Sequence, residues 1–250
     1  TKYGAMRACY RTKYVYVKRE LMTTPVRPAL TRDRVLDGAL ALADEIGMER
    51  FTIRRLAERL ETKPMSIYHH VPSKEAIVDG MVDHVFGEIE LPPEDLEWGE
   101  ALRVRCVAAR EVLRRHPWAP PLMESRTRPG PASLRHHDAM LATLRRGGLS
   151  WELTAHGYAI LDSFVYGFAL EEASLPGGGG SEMTDMAGEL AEVFAAYPTL
   201  AAFTTDWVLQ PGYAFGASFE FGIDLIIDGL ASAAEKAGSA ASGARPRTTT

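Results

Sequence analysis

From Val35 onward the apolar residues of this chain recur at three- and four-residue spacing, and no stretch alternates with a period of two, so the pattern predicts helices and no strands. Val35, Leu36, Ala39, Leu40, Leu42, Ala43 and Ile46 define one apolar face. Thr31, whose hydroxyl can cap free amides, opens this helix, Asp33 complements its dipole, and Gly47 supplies the stop. A shorter segment opens at Phe51-Thr52, with Ile53, Leu56, Ala57 and Leu60 inward and Arg54, Arg55, Glu58 and Arg59 outward. Glu61-Thr62-Lys63-Pro64 then breaks the period, because proline lacks an amide donor and biases the residue before it away from helix. A third helix is expected to restart near Ser66. Two short helices joined by a tight turn leave the second one projecting, the helix-turn-helix arrangement that enters a major groove. Helices this short are unstable alone in water, so the first must pack across both.

Ser73-Lys74-Glu75-Ala76 begins a fourth helix, carrying Ile77, Val78, Met81, Val82, Val85, Phe86 and Ile89 up to Pro92-Pro93. It runs from the projecting segment into the rest of the chain, which makes it a natural lever for a switch. Further helices are expected over Trp98 to His116, over Ala132 to Arg146 with Gly147-Gly148 as the stop, and after the cap Ser150. Two segments are apolar on more than one face. Trp151 to Leu170 holds Leu153, Tyr158, Ile160, Leu161, Phe164, Val165 and Phe168. Tyr213 to Leu230 has the seam Phe215, Phe219, Gly222, Ile223, Ile226 and Leu230, with Phe221, Leu225 and Ile227 on another side. Such helices need covering twice. The subunit's own core is one cover and a second copy the other, with Gly157, Gly167, Gly216, Gly222 and Gly229 permitting close approach; a larger monomer core is the alternative. The expected homodimer interface is therefore Phe164, Phe215, Phe219, Ile223, Ile226 and Leu230. A dimer would set two reading helices one DNA turn apart, ~34 to 36 Å, on a near-palindrome.

Charge divides the chain in the same place. Residues 1 to 75 carry 15 Lys and Arg against 9 Asp and Glu, while residues 76 to 250 carry 13 against 24. A net charge of −5 thus hides a basic end suited to nucleic acid and an acidic remainder that should face away from it. Two cysteines, Cys9 and Cys106, make no disulfide framework, and Cys106 falls on an apolar helical face as plain core. With no apolar run of ~18 residues and no leader pattern, a cytoplasmic protein without a membrane partner is expected. Residues 1–30 lack an apolar period, and Met22-Thr23-Thr24-Pro25 reads as a more natural beginning than Thr1, so this stretch is expected to be disordered or an upstream extension. A basic arm tracking DNA is its functional alternative. The organisation expected is all-α: a helix-turn-helix domain at 31–75, a ligand-binding and dimerisation body at 76–236, and a disordered tail at 237–250. Pro176-Gly177-Gly178-Gly179-Gly180-Ser181 has linker chemistry and lacks the Gly-Lys-Ser/Thr ending of a phosphate cradle.

The outward residues around the projecting helix are Arg54, Lys63, Pro64, Met65, Ser66, Tyr68, His69, His70 and Lys74. Cations, hydroxyls and rings of this kind suit phosphates and base edges, although any small helical domain presents polar residues on its outer face. Adjacent helical residues point about 100° apart, so His69 and His70 are not expected to share a metal ion. An enzyme is the rival class, given His116, His136, His137, His156, Asp138 and the pair Asp162 and Ser163. No nucleophile elbow, zinc motif or paired carboxylate pattern accompanies them, and His136 and His137 read as a solvated face after Arg135. No catalytic residue, metal or cofactor is expected. A pure helical interaction module leaves the basic end unexplained.

Thr52-Ile53-Arg54-Arg55-Leu56-Ala57, followed by Ile67-Tyr68-His69-His70-Val71-Pro72-Ser73-Lys74-Glu75, resembles the head of the TetR family of bacterial repressors. The resemblance implies that Tyr68 and its neighbours meet phosphates and bases, that Lys74 grips a phosphate, and that Arg54 can reach a guanine. It extends through Thr127-Arg128-Pro129, Tyr197-Pro198-Thr199-Leu200 and Phe215 to Leu230, covering roughly residues 30 to 236. It also implies a double-stranded operator, a small-molecule effector and release of DNA when that effector binds. The family's tetracycline ligands fall near Glu90, Arg105, Ala109, Met140 and Met123 or Glu124, with Thr127 and Glu171 alone retained, so magnesium-tetracycline is not the expected effector. Because the family keeps a cavity between these helices, the expected lining is Arg105, Trp118, Met123, Thr127, Met140, Tyr158, Phe164, Phe168 and Glu171. Aromatic and Met residues there suit a flat or greasy molecule, and core packing is the alternative for each.

Overall fold

The computed structural model describes residues 29–125 and 128–243, with side chains as far as residue 239. Among these residues there are twelve α-helices and no strand. The head is α1 (Arg32–Ile46), α2 (Ile53–Arg59) and α3 (Pro64–Tyr68). The Thr31 hydroxyl accepts from the Arg34 amide at 3.2 Å, and the Thr52 hydroxyl accepts from the Arg55 amide at 3.2 Å, so the two threonines open α1 and α2 by satisfying free donors. Between α2 and α3 the chain turns through Glu61, whose φ of 51° lies in the left-handed region. The third helix starts earlier than expected, with Pro64 as its first residue. A ring that breaks a helix interior is tolerated in the first turn, where the amide has no helical partner. Ile67 and Val71 anchor this short helix in the core, beside Leu56 and Ala57.

Ser73 caps α4 (Lys74–Glu88), its hydroxyl accepting from the Ala76 amide at 3.1 Å. α1 and α4 lie side by side, and Gly80 makes this possible: a Cβ there would sit 2.8 Å from the Leu36 side chain. The body follows with α5 (Trp98–Arg115), α6 (Pro120–Ser125), α7 (Pro131–Arg146) and α8 (Trp151–Ser174). Then come α9 (Ser181–Glu189), α10 (Ala191–Phe194), α11 (Pro198–Phe203) and the long α12 (Ala217–Gly243). The glycine run before α9 forms one tight turn, with φ of 55°, 65° and 81° at Gly177, Gly178 and Gly179. α12 continues past residue 237, where the sequence suggested an irregular tail. One apolar core runs without a break from Val35 in the head to Leu230 in the body.

The packing of α8 on α12 corrects the expected interface. Phe219 and Ile223 are wholly buried within the protomer, Leu230 is nearly so, and Phe164 stacks on Phe219 with ring centroids 5.6 Å apart. Phe168 stacks on Phe215 at 4.8 Å, and Ile226 is half-buried against the same core. Gly222 gives way to the Phe164 ring of the same chain. The sequence correctly showed two apolar sides on these helices, but the richer seam turns inward because it fills the larger core. The side left open carries Phe221, 66% exposed, and Leu225, 58% exposed, on α12, with Ile160 and Leu170 on α8.

Charge is also distributed differently from the expectation. Residues 32 to 75 carry 8 Lys and Arg against 8 Asp and Glu, so the basic excess belongs to residues 1–28, outside the described part.

Candidate DNA interface and effector cavity

The outer face of the head is assembled by the turn between α2 and α3. Lys63, Pro64, Met65, Tyr68, His69 and His70 are exposed there, Ser66 is half-buried, and Ile67 alone points inward from α3. His69 and His70 lie just beyond the last helical residue, Tyr68. Arg54 projects from α2 with its Nε donating to Glu58 Oε1 at 3.1 Å, an exposed pair that water screens and that DNA phosphate can displace. Lys74 stands at the first position of α4 with its ammonium 5.8 Å from the centre of the Phe51 ring. The side chains expected to meet DNA are therefore exposed, apart from half-buried Ser66, while Leu56, Ile67 and Val71 of the same head are buried.

A polar cluster lies at the centre of the body. Arg105 on α5 is completely buried; its Nε donates to His136 Nε2 at 2.9 Å and its Nη2 to Asp162 Oδ1 at 3.2 Å. His136 Nε2 is thus an acceptor, which leaves the hydrogen on Nδ1, a buried atom without a partner. Burial, then the Arg105 charge, then His137 lower the His136 pKa to about 2. Burial likewise lowers that of His137, against the opposing pull of Asp162. His137 holds the Tyr158 hydroxyl on Nδ1 and meets Ser133 Oγ through Nε2 at 3.2 Å. Burial first, then Asp162, pushes the phenols of Tyr158 and Tyr166 up, so both stay protonated. Apart from the Arg105–Asp162 pair, this cluster is neutral.

Beside the cluster is a cavity of about 280 Å³ walled by Phe86, Met123, Glu124, His137, Tyr158, Ala159, Asp162, Ser163 and Tyr166. A second hollow of about 160 Å³ shares Phe86, Met123 and His137 with it and continues past Asp83, Arg128 and Ser133. The buried Tyr166 hydroxyl makes no hydrogen bond of its own at this wall. A larger opening of about 570 Å³ lies elsewhere, among Trp207, Tyr213, Phe221 and their neighbours. Its walls hold no charged residue and adjoin the uncovered side of α12, so it suits packing better than recognition of a polar molecule. Among the described residues, no group of three or more His, Cys, Asp or Glu could hold a metal ion.

Residues 35–81 match the family described as bacterial regulatory proteins, tetR family, and residues 91–234 match the tetracyclin repressor-like, C-terminal domain family. The chain belongs to the TetR family. This TetR-family regulator is 32% identical over 222 residues to the HTH-type transcriptional repressor DrrR1 of Streptomyces coeruleorubidus, across 82% of this chain and 78% of the relative. It is 30% identical over 211 residues to an HTH-type transcriptional regulator of Saccharopolyspora erythraea, across 83% of this chain and 87% of the relative. Among solved structures, apo ActR from Streptomyces coelicolor superposes with a TM-score of 0.69 at 30% identity, covering 83% of this chain and 98% of that one. These relatives are regulators of transcription and not enzymes.

The body of this TetR-family regulator brings only part of the expected ligand set together. Met123 and Tyr158 line the cavity. Arg105 stands behind the wall, its charge already engaged by Asp162, and so does not wait for an acidic ligand group. Met140 is wholly buried in the core, while Phe164 and Phe168 pack toward α12. Trp118 lies against the head, its Nε1 donating to Asp44 Oδ1 at 2.6 Å. Glu171 is exposed; its neighbour Glu172 is buried and pairs with Arg110 at 2.6 Å. Thr127 lies outside the described residues. Sequence reasoning missed Phe86, His137, Asp162 and Tyr166, and wrongly placed His136 on a solvated face. A signal was available: Tyr158, Asp162 and Tyr166 recur every four residues along an otherwise apolar helix, a polar stripe that can only face a partner or a cavity.

Proposed function

We infer that this chain is a cytoplasmic repressor that binds a near-palindromic operator as a homodimer and leaves it when a small molecule enters the cavity between α4, α6, α7 and α8. The observation that carries the reading is that one helix, α4, bears both Lys74 beside the DNA-facing surface and Phe86 in the cavity wall. An occupant that moves Phe86 acts on the same rod that supports the head, and it shifts the equilibrium by as much as its affinity differs between the two states. The dimer is supported by the uncovered apolar side formed by Phe221, Leu225, Ile160 and Leu170, which a second copy would bury.

The wall, which also includes Glu124, supports one effector class. Neutral His137, protonated Tyr158 and Tyr166, and the Asp162 and Ser163 oxygens offer hydrogen bonds beside Phe86 and Met123. A flat molecule with hydroxyl or carbonyl groups fits such a mixture. ActR, the structural relative above, has also been solved in complex with actinorhodin, at 31% identity and a TM-score of 0.68. The test is a gel shift at several salt concentrations on the DNA flanking the chain's own gene, with and without actinorhodin and smaller hydroxylated aromatic carbonyl compounds. A salt-sensitive shift that such a compound abolishes supports the reading. Failure to bind any palindrome from that region counts against it.

A further inference from the structure

The place where the head meets the body is tied by a set of polar contacts. His116, just past the end of α5, is buried; its Nδ1 lies 2.7 Å from Asp44 Oδ1 on α1, and its Nε2 lies 3.2 Å from Glu88 Oε1 at the end of α4. Trp118 Nε1 donates to the same Asp44 oxygen at 2.6 Å, and its ring meets the His116 ring edge-on at 5.9 Å. Arg115 completes the set with 2.9 Å to Glu88 Oε2, and His84 reaches Glu88 Oε1 at 3.5 Å. Three separate helices thus converge on one imidazole.

The position of this junction matters more than its strength. Leu36 of α1 packs at Gly80 of α4, and Asp44 meets Glu88 through His116, so the two helices run side by side in the same direction. The junction fastens their far ends, whereas Lys74 and α3 stand at the near end. α4 has 15 residues from Lys74 to Glu88. At ~1.5 Å per residue, the fastened end and the DNA end are about 21 Å apart. If the far end is released, a tilt of about 5° moves the near end by about 2 Å over that length. In a symmetric dimer both heads move, so their separation changes by up to about 4 Å, comparable to the ~3.4 Å rise of one base pair.

We propose that Asp44, His116, Glu88 and Trp118 are positioning residues that fix the angle of the head on the body and thereby set the half-site spacing this regulator accepts. The proposal rests on the dimeric operator reading given above. Its buried ring and its several donors and acceptors hold one geometry, as a well-satisfied polar network does, where greasy contacts alone would let α1 slide over α5.

The experiment uses the full chain. Selection from random duplexes gives the preferred half-site and spacing for the parent protein, and a series of duplexes with spacers shortened or lengthened by one and two base pairs is then titrated by fluorescence anisotropy. The parent is expected to lose about tenfold in affinity for a one-base-pair change, the scale of a single mismatched position. His116→Ala is expected to lose less than about threefold over the same change, with affinity for a solitary half-site unchanged. Trp118→Phe, which keeps an aromatic side chain but loses the indole N–H together with one ring of the indole, is expected to relax spacing in the same direction and carries the test if the alanine variant does not fold. Spacing discrimination in both variants equal to the parent's would overturn the proposal while leaving the dimeric reading intact. A parent protein that sediments as a monomer or selects solitary half-sites would instead overturn the dimeric reading, and this proposal with it.

Discussion

Replacing His136 by Gln should flatten the acid side of the stability profile. The imidazole is fully buried, and its pKa lies at about 2, because burial first, then the Arg105 charge and then His137 oppose protonation. In the unfolded chain the same ring takes up a proton near pH 6.5. A neutral His136 therefore stabilises the fold fully above pH 6.5, and this contribution is lost as pH falls from about 6.5 toward about 2. The slope approaches ~1.4 kcal/mol per pH unit, and integration from pH 7 to pH 5 gives a loss of about 2 kcal/mol per protomer. Gln has an amide oxygen that can accept from Arg105 Nε, as His136 Nε2 does at 2.9 Å, but it does not titrate. Urea unfolding at pH 7 and pH 5 measures the difference, with protomer concentration held constant because association contributes to apparent stability. His137, whose pKa is also lowered, is present in both proteins and cancels. His136→Gln should lose about 2 kcal/mol less than the parent between the two pH values. Parallel losses in the two proteins would refute the assignment of His136 as a neutral buried base.

Lys74→Ala should weaken operator binding at all sequences and reduce the salt dependence by about one phosphate contact, with unfolding unchanged, as read by anisotropy titrations across salt concentrations. Tyr68→Phe, which removes one exposed hydroxyl, should lower operator affinity with no change in thermal stability. Leu225→Asp should convert the dimer to a folded monomer in sedimentation, since Leu225 is on the open side of α12, whereas Phe219→Asp should unfold the protomer because it buries a charge among Phe164, Phe168 and Ile223. A dimeric Leu225→Asp protein would move the interface elsewhere.

The head was readable in the sequence because its determinants are local. Thr31, Thr52 and Ser73 cap the helices that their positions announce, and the three-to-four spacing places Leu56, Ile67 and Val71 inside. Pro64 reads in the sequence as a break but opens α3, because a proline can end one helix or start the next, and only the residues on its C-terminal side distinguish the two. The cavity was less legible, since its identity depends on side chains brought together from distant parts of the chain. Arg105 finds His136 31 residues away and Asp162 57 residues away, and nothing near any of the three announces the others. For the same reason His136 looks solvated in sequence beside exposed Arg135, although it sits about 100° around the helix and itself turns toward Arg105. The dimer seam failed differently: apolar periodicity counts the faces of α12 but does not say which one the protomer keeps for itself.

The two ends of α4 also set a condition on the cell. Phe86 at one end belongs to the cavity and Lys74 at the other stands beside the DNA-facing surface, so any free energy by which an effector loosens the operator is returned in full when the operator weakens the effector. Protein held on DNA is then less sensitive to the molecule it senses than protein free in solution. The dose needed for half-release rises with operator affinity, and a strong operator answers later than a weak one to the same accumulating compound.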